Sequence, residues 1–249
     1  MTGSPVITLH LIGIGTGNPD HVTLQARKAI AAADLVLLPE KGAAKSDLTD
    51  LRRQIVEQVT EAAPVIEGFE MPVRDPALPY LERVERWHDA IAARWAGAMA
   101  RHPHARDVAL LVWGDPSLYD STLRIAARLR PQPALKVVPG ITALQALTAA
   151  HAIPLNSVNG PVTITTGRRL RDHGWPEGAD TLAVMLDGET SFATLDPDGI
   201  EIWWGAFLGM ENEVIEAGPL AEAGPRIIET RARAREAHGW IMDVYLLRR

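Results

Sequence analysis

Over the first 150 residues, short β-branched runs alternate with amphipathic helical stretches, and almost every run is cut off by glycine or proline. This alternation constrains the fold more than any other feature, because a strand followed by a helical crossover returns to its sheet in parallel. The run Val6 to Ile14 is closed by Gly13, Gly15 and Gly17 and reads as a buried strand entering a tight loop. Asn18-Pro19-Asp20 leads into a helix with Asp20 or Thr23 as its cap and Leu24, Ala26 and Ile30 facing inward. Leu35 to Leu38 is a second strand. Ser46 or Asp47 then caps a helix in which Leu48, Leu51, Ile55 and Val59 recur at helical spacing.

Beyond a proline-rich loop from Met71 to Pro79, Leu81, Val84, Trp87, Ile91, Trp95 and Met99 form the apolar stripe of a long helix. Val108 to Trp113 is a strand broken by Gly114-Asp115-Pro116, with Leu123, Ile125 and Leu129 marking the next helix. Leu135 to Val138 is another strand, stopped by Pro139-Gly140 and followed by a small-residue helix from Ile141 to Ala150. The pattern predicts a parallel sheet covered on both faces. From Pro161 strand-like runs dominate, at 162–165, 181–186, 200–207, 213–215 and 241–247, with one convincing helix around Arg226 to Ala237. The expectation is α/β in two domains, residues 1–155 and 156–249, joined through Pro154 to Gly160.

Composition narrows the chemistry. The chain has 249 residues, 47% hydrophobic and 22% charged, far from a disordered or fibrous composition. No apolar run approaches the roughly 20 residues that span a bilayer, so no membrane association is expected. Residues 1–9 lack the basic region, apolar stretch and cleavage site of a signal peptide. With no cysteine, disulfides, thiolate metal sites and cysteine nucleophiles are excluded, and the cytoplasm is the expected compartment. A net charge of -6 weighs against binding along a phosphate backbone, so no nucleic-acid partner is expected. His102 and His104 merely flank Pro103, and no His/Asp/Glu spacing calls for a metal.

Three loops carry the chemistry. Gly13-Ile14-Gly15-Thr16-Gly17 lets a ligand approach the backbone, but it has one residue between its second and third glycines where a nicotinamide fingerprint needs two. A tight strand-to-helix turn explains it equally well. Gly114-Asp115-Pro116-Ser117-Leu118-Tyr119 sets a carboxylate at the C-terminal edge of a buried strand, where open α/β sheets bind ligands; an Asp-Pro turn is the plain alternative. Pro139-Gly140-Ile141-Thr142-Ala143 stands at the equivalent edge of the next strand, with Thr142 as a ligand hydroxyl or a helix cap.

These loops, taken in order with Leu24-Gln25-Ala26 and with Thr181-Leu182-Ala183-Val184-Met185-Leu186, make the chain resemble the tetrapyrrole (cobalamin-pathway) methyltransferases over nearly its whole length. Thr16 and Asn18 stand where the family opening carries Pro and Asp. Lys41-Gly42-Ala43-Ala44-Lys45-Ser46-Asp47-Leu48, Trp203-Trp204-Gly205-Ala206-Phe207-Leu208-Gly209 and His238-Gly239-Trp240-Ile241-Met242-Asp243 resemble one branch of the family more closely. That branch methylates precorrin-5 at ring carbon C1 while an acetyl group leaves as acetate.

The resemblance implies a mixed C-terminal sheet and S-adenosylmethionine bound in a cleft between the domains, mostly by backbone groups, and released as S-adenosylhomocysteine. It assigns Gly114, Asp115 and Leu118 to the methionine and ribose, Thr142 and Ala143 to the sulfur side, and Leu186 with Ala206 to the adenine. A core role for Leu186 and Ala206 is compatible with that placement. Loss of the acetyl group calls for a base and oxyanion donors. Asp47, Glu40 and His88 are candidate bases, with Lys41 or Lys45 as donor; helix capping is the alternative for Asp47, and a solvent-facing position beside Trp87 for His88. Substrate carboxylates call for arginines, and Arg168-Arg169 is preferred among Arg52, Arg53, Arg74, Arg168, Arg169 and Arg171. Family members pair as homodimers, so a homodimer is expected. Another precorrin C-methyltransferase, an RNA methyltransferase, a nicotinamide-dependent oxidoreductase and a non-enzymatic tetrapyrrole carrier are the competing readings.

Overall fold

The computed structural model describes residues 7–40, 46–59 and 64–249, and of residues 46–48 the backbone alone. The chain divides into two compact units between Ile141 and Thr142. In the first, β1 (Thr8–Gly13), β2 (Leu35–Glu40), β3 (Val65–Glu70), β4 (Asp107–Val112) and β5 (Ala134–Val138) form an all-parallel sheet in the order β3-β2-β4-β1-β5. The crossovers carry α1 (Leu24–Ala31), α2 (Ser46–Val59), α3 (Tyr80–Ala100) and the short α4 (Thr122–Ala126). Strand alternation sends Leu9, Leu11, Leu37, Val108 and Leu110 to one face, where they pack on Ile91, Trp95 and Ala98 of α3. Ile12, Val36, Leu38 and Leu111 go to the other face, against Ala26 and Ile30 of α1 and Ile55 and Val56 of α2. The doubly covered parallel sheet expected from the alternation is therefore present.

Local details differ in instructive ways. Thr23 caps α1 by accepting the Ala26 amide at 3.1 Å, whereas Asp20 sits in a preceding 3-10 turn. Leu24 and Leu81 are 68% and 76% exposed, not inward; both stand in the first turn of their helices. Periodicity says which side of a helix faces the core but not where the cover ends. His88 is the opposite case, buried on α3 with neither ring nitrogen hydrogen-bonded. The solvent-facing position considered for it is not what the fold provides.

The second unit contains α5 (Ala143–Ala150), β6 (Val162–Thr166), α6 (Gly167–His173), β7 (Thr181–Met185), β8 (Glu201–Ala206), β9 (Val214–Pro219), α7 (Leu220–His238) and β10 (Asp243–Arg248). Its sheet runs β6-β7-β10-β8-β9 and is mixed, since β6 and β7 are parallel while the other pairs are antiparallel. Trp204, Phe192, Phe207, Ile227, Tyr245 and Leu247 fill its core. α5 packs on β8 and β10 and so belongs to this unit, which places the division ahead of the 155/156 boundary read from the sequence. Among the described residues no helix is long and apolar enough to cross a membrane.

The buried His88 ring gives a pH signature. Burial, reinforced by the charge of Arg128, lowers its proton affinity below the ordinary histidine value, so the folded state holds the ring neutral. The unfolded chain then takes up this proton first as pH falls below about 6.5, and stability declines from there until the folded ring also protonates. Urea melts between pH 7.5 and 5.5 should show His88→Leu losing less stability than the parent, the difference approaching at most ~1.4 kcal/mol per pH unit. Equal slopes in the two proteins would contradict the burial argument.

Candidate functional site

Parallel pairing brings the C-terminal ends of β4, β1 and β5 side by side, with Gly13 level with Val112 and Ile12 level with Val138. The loops that follow are knitted together by their main chains. Gly15 and Gly114 exchange hydrogen bonds, the Gly114 amide donating to the Gly15 carbonyl at 2.7 Å and the Gly15 amide to the Gly114 carbonyl at 3.3 Å. A Cβ on Gly13 would stand 2.6 Å from the Gly140 nitrogen and 2.8 Å from the Gly114 oxygen, and one on Gly140 would collide with that same oxygen. The Gly13 and Gly140 backbones close on the Gly114 carbonyl because neither residue has a side chain.

Asp115 clamps the arrangement. Its Oδ2 accepts the Gly140 amide at 2.8 Å, and its Oδ1 accepts the Ser117 amide at 2.8 Å and the Ser117 hydroxyl at 2.5 Å. Burial pushes its proton affinity up, but the Ser117 hydroxyl and the Gly140 and Ser117 amides together outweigh that and hold the carboxyl below the ordinary Asp value. A carboxylate offers about four acceptor sites, so about one remains for a ligand hydroxyl or ammonium. Leu118 closes the turn, its amide donating to the Asp115 carbonyl at 3.3 Å, and Tyr119 follows at a φ of 50°. Nearby, the Arg52 Nε–H donates to the Leu111 carbonyl at 3.2 Å and its guanidinium lies 5.7 Å from the Trp113 ring centre. Burial lowers the pKa of this group to about 10 against the pull of Asp120, which leaves it cationic at neutral pH.

The other residues singled out from the sequence are dispersed. Thr142 caps α5, accepting the Leu144 amide at 3.2 Å while Gln145 receives the Thr142 amide, so its hydroxyl is engaged in the capping box; Ala143 is the first helical residue. Glu40 ends β2 at the same sheet edge as the glycine loops and is exposed. Lys41 and Lys45 lie outside the described residues, as does the side chain of Asp47. His88 is enclosed on α3. His102 pairs with Glu67. Arg74 stacks on Trp87, Arg171 pairs with Glu189, and Arg168 and Arg169 are exposed on α6. Among the described residues no group of His, Asp and Glu is placed to hold a metal.

In the second unit, Leu186 follows β7 at a φ of 54° with its side chain 67% exposed, and Phe207 follows β8 at a φ of 52°. A branched aliphatic residue that is both left-handed and exposed carries two local penalties, a combination concentrated at functional positions. Ala206 is wholly buried, main chain included, between Asp243 of β10 and Val214 of β9. Beneath these turns lies a polar cluster the sequence did not reveal. Asp187 accepts from the Ser191 amide and hydroxyl and from the Tyr245 hydroxyl, and Arg231 pairs with Asp243 at 2.8 Å. Its one sequence signal is the interruption of apolar runs by Asp187 after β7 and Asp243 at the start of β10.

The model of the Tetrapyrrole (Corrin/Porphyrin) Methylases matches residues 8–224. Over 246 residues the chain is 46% identical to the precorrin-6A synthase [deacetylating] of Sinorhizobium sp, covering 96% of this chain and 94% of that protein. The crystal structure of a cobalamin synthesis related protein from Corynebacterium diphtheriae matches with a TM-score of 0.83 and 40% identity over 98% of each chain. The uroporphyrin-III C-methyl transferase of Thermus thermophilus, solved with S-adenyl homocysteine, matches with a TM-score of 0.59 and 20% identity over 96% of each, a likeness of fold. This chain belongs to the tetrapyrrole (corrin/porphyrin) methylase family.

Proposed function

We propose that the chain transfers a methyl group from S-adenosylmethionine to ring carbon C1 of precorrin-5, with loss of the acetyl group as acetate, to give precorrin-6A in aerobic cobalamin synthesis. The observation that carries this reading is the 46% identity with a precorrin-6A synthase along almost the whole of both chains. The glycine loops fit the cofactor: they offer main-chain groups and one unfilled acceptor position on Asp115, which suits a zwitterionic nucleoside better than a polyphosphate. We also take the protein to be a cytoplasmic homodimer, after the family.

On this reading Gly114, Asp115 and Leu118 hold the methionine and ribose portions, Thr142 and Ala143 line the sulfur side, and Leu186 with Ala206 lies on the adenine side. When bound, the sulfonium supplies the methyl group. The protein's share of that step is alignment, and fixed geometry of this kind is worth roughly 7 to 11 kcal/mol in oriented reactions. Deacetylation needs water to attack the acetyl carbonyl, so that the C1–acetyl bond breaks with its electron pair left on the macrocycle and the water oxygen departs in acetate; Asp47 after β2 is our candidate to take the water proton, with Lys41 as oxyanion donor. Arg168, Arg169 and Arg74 are our candidates for the substrate carboxylates, and the exposure of all three supports it.

Incubation with precorrin-5 and methyl-labelled S-adenosylmethionine, followed by mass analysis, should yield acetate and singly methylated precorrin-6A together. Methylation of another precorrin without acetate would replace this assignment with a sister activity, and tetrapyrrole binding without turnover would favour a carrier. Asp115→Ala removes three hydrogen bonds from the loops, each worth about 1 kcal/mol, and should weaken S-adenosylhomocysteine binding by tenfold or more in calorimetry. A folded variant with unchanged affinity would dissociate these loops from the cofactor.

A further inference from the structure

The buried cluster of the second unit adds side-chain ties between two strand ends that β10 pairs along its two edges. β10 runs antiparallel to both β7 and β8, with Tyr245 level with Val184 on one side and Asp243 level with Ala206 on the other. The C-terminal ends of β7 and β8 therefore flank the start of β10, and each continues into a left-handed residue, Leu186 or Phe207. Arg231, brought in by α7, spans this edge. Its Nε–H donates to Asp243 Oδ2 at 2.8 Å, and a terminal nitrogen donates to the Asp187 carbonyl at 3.0 Å and to Asp243 Oδ1 at 3.5 Å. The Trp204 indole N–H completes Asp243 at 3.0 Å.

Asp187 in turn fixes the residue after Leu186 from several directions. Its carboxylate accepts from the Tyr245 hydroxyl at 2.6 Å, the Ser191 amide at 2.6 Å, the Ser191 hydroxyl at 2.9 Å and the Glu189 amide at 3.0 Å. It also fills the space a side chain on Gly167 would need at the start of α6. A guanidinium is suited to this task because its rigid fork reaches a carboxylate and a carbonyl at once, which an ammonium cannot do in the same geometry. The cluster is paired throughout, as buried charges require.

We propose that Arg231 is a positioning residue that, through Asp243 and the Asp187 carbonyl, sets the spacing of the Leu186 and Ala206 turns and with it the affinity for the adenosyl group. It acts without touching the ligand. The inference rests on the reading that these two turns receive the adenine.

The test uses the full chain and S-adenosylhomocysteine as probe, with calorimetry well below the melting temperature. Two conservative variants separate positioning from folding: Arg231→Lys keeps the charge opposite Asp243 but releases the Asp187 carbonyl, and Tyr245→Phe removes one hydrogen bond from Asp187 without changing shape. Both should remain folded by circular dichroism and bind the probe about tenfold more weakly. The KM for S-adenosylmethionine should rise, with kcat and the KM for the tetrapyrrole nearly unchanged. A purely structural role would lower the melting temperature and leave the affinity of the folded protein intact, which would overturn the proposal. Should Arg231→Lys fail to fold, unchanged affinity in Tyr245→Phe would overturn it alone. A parent protein that does not bind the probe would defeat the adenosylmethionine reading itself, a result distinct from normal binding by parent and variants alike.

Discussion

The approach of Gly13, Gly114 and Gly140 is the contact on which the arrangement of the first unit depends. A Cβ on Gly13 would come within 2.8 Å of backbone from both of the other loops, and backbone cannot step aside as a flexible side chain can. The absence of side chains at Gly13 and Gly140 lets β4, β1 and β5 end in loops that close on one another, with Gly15 and Gly114 exchanging hydrogen bonds and Asp115 closing the set. The sheet beneath supplies the rigidity. Its central strands bury aliphatic residues on both faces, so the strand ends are anchored by packing that a surface loop lacks.

The second unit meets the same demand by other means. Its strand ends carry Leu186 and Phe207 in the left-handed region, where each non-glycine residue costs on the order of 1 kcal/mol or more. The Phe207 amide donates to the Met242 carbonyl at 3.0 Å, and the Phe207 ring packs edge-on against His238 and Trp240. Beside Leu186 the support comes from side chains: Asp187, Ser191, Tyr245, Arg231, Asp243 and Trp204 form one buried and mutually satisfied cluster. The strand ends are thus braced by close glycine contacts in one unit and by a charged side-chain network in the other.

How much of this was legible in the sequence follows from the range of the interactions. The parallel sheet was legible because alternation of strand and helix is a local pattern with one topological solution. The Thr23 and Thr142 caps were legible as candidates for the same reason, a hydroxyl just ahead of a helical run. β3 was not, because Val65-Ile66-Glu67-Gly68-Phe69-Glu70 mixes acidic residues and a glycine into an edge strand. α6 was missed because Gly167 to His173 carries Arg168, Arg169, Arg171, Asp172 and His173, with Leu170 its only large buried residue, too little for a periodic signal. The Asp187 cluster joins residues 12, 44 and 58 positions apart, and no local pattern encodes such pairings. His88 shows the converse limit: its residue type suggests chemistry, and its enclosure on α3 makes it part of the core.

The most direct measurement compares S-adenosylhomocysteine binding in two glycine variants by calorimetry. Gly97 lies on α3 with open space where a Cβ would go, so Gly97→Ala should fold and bind like the parent. Gly140→Ala forces a methyl group against the Gly114 carbonyl, and the account expects it to part the loops and abolish measurable binding while the first unit keeps its secondary structure. A folded Gly140→Ala protein that binds with parental affinity would contradict the claim that this backbone contact builds the cofactor site.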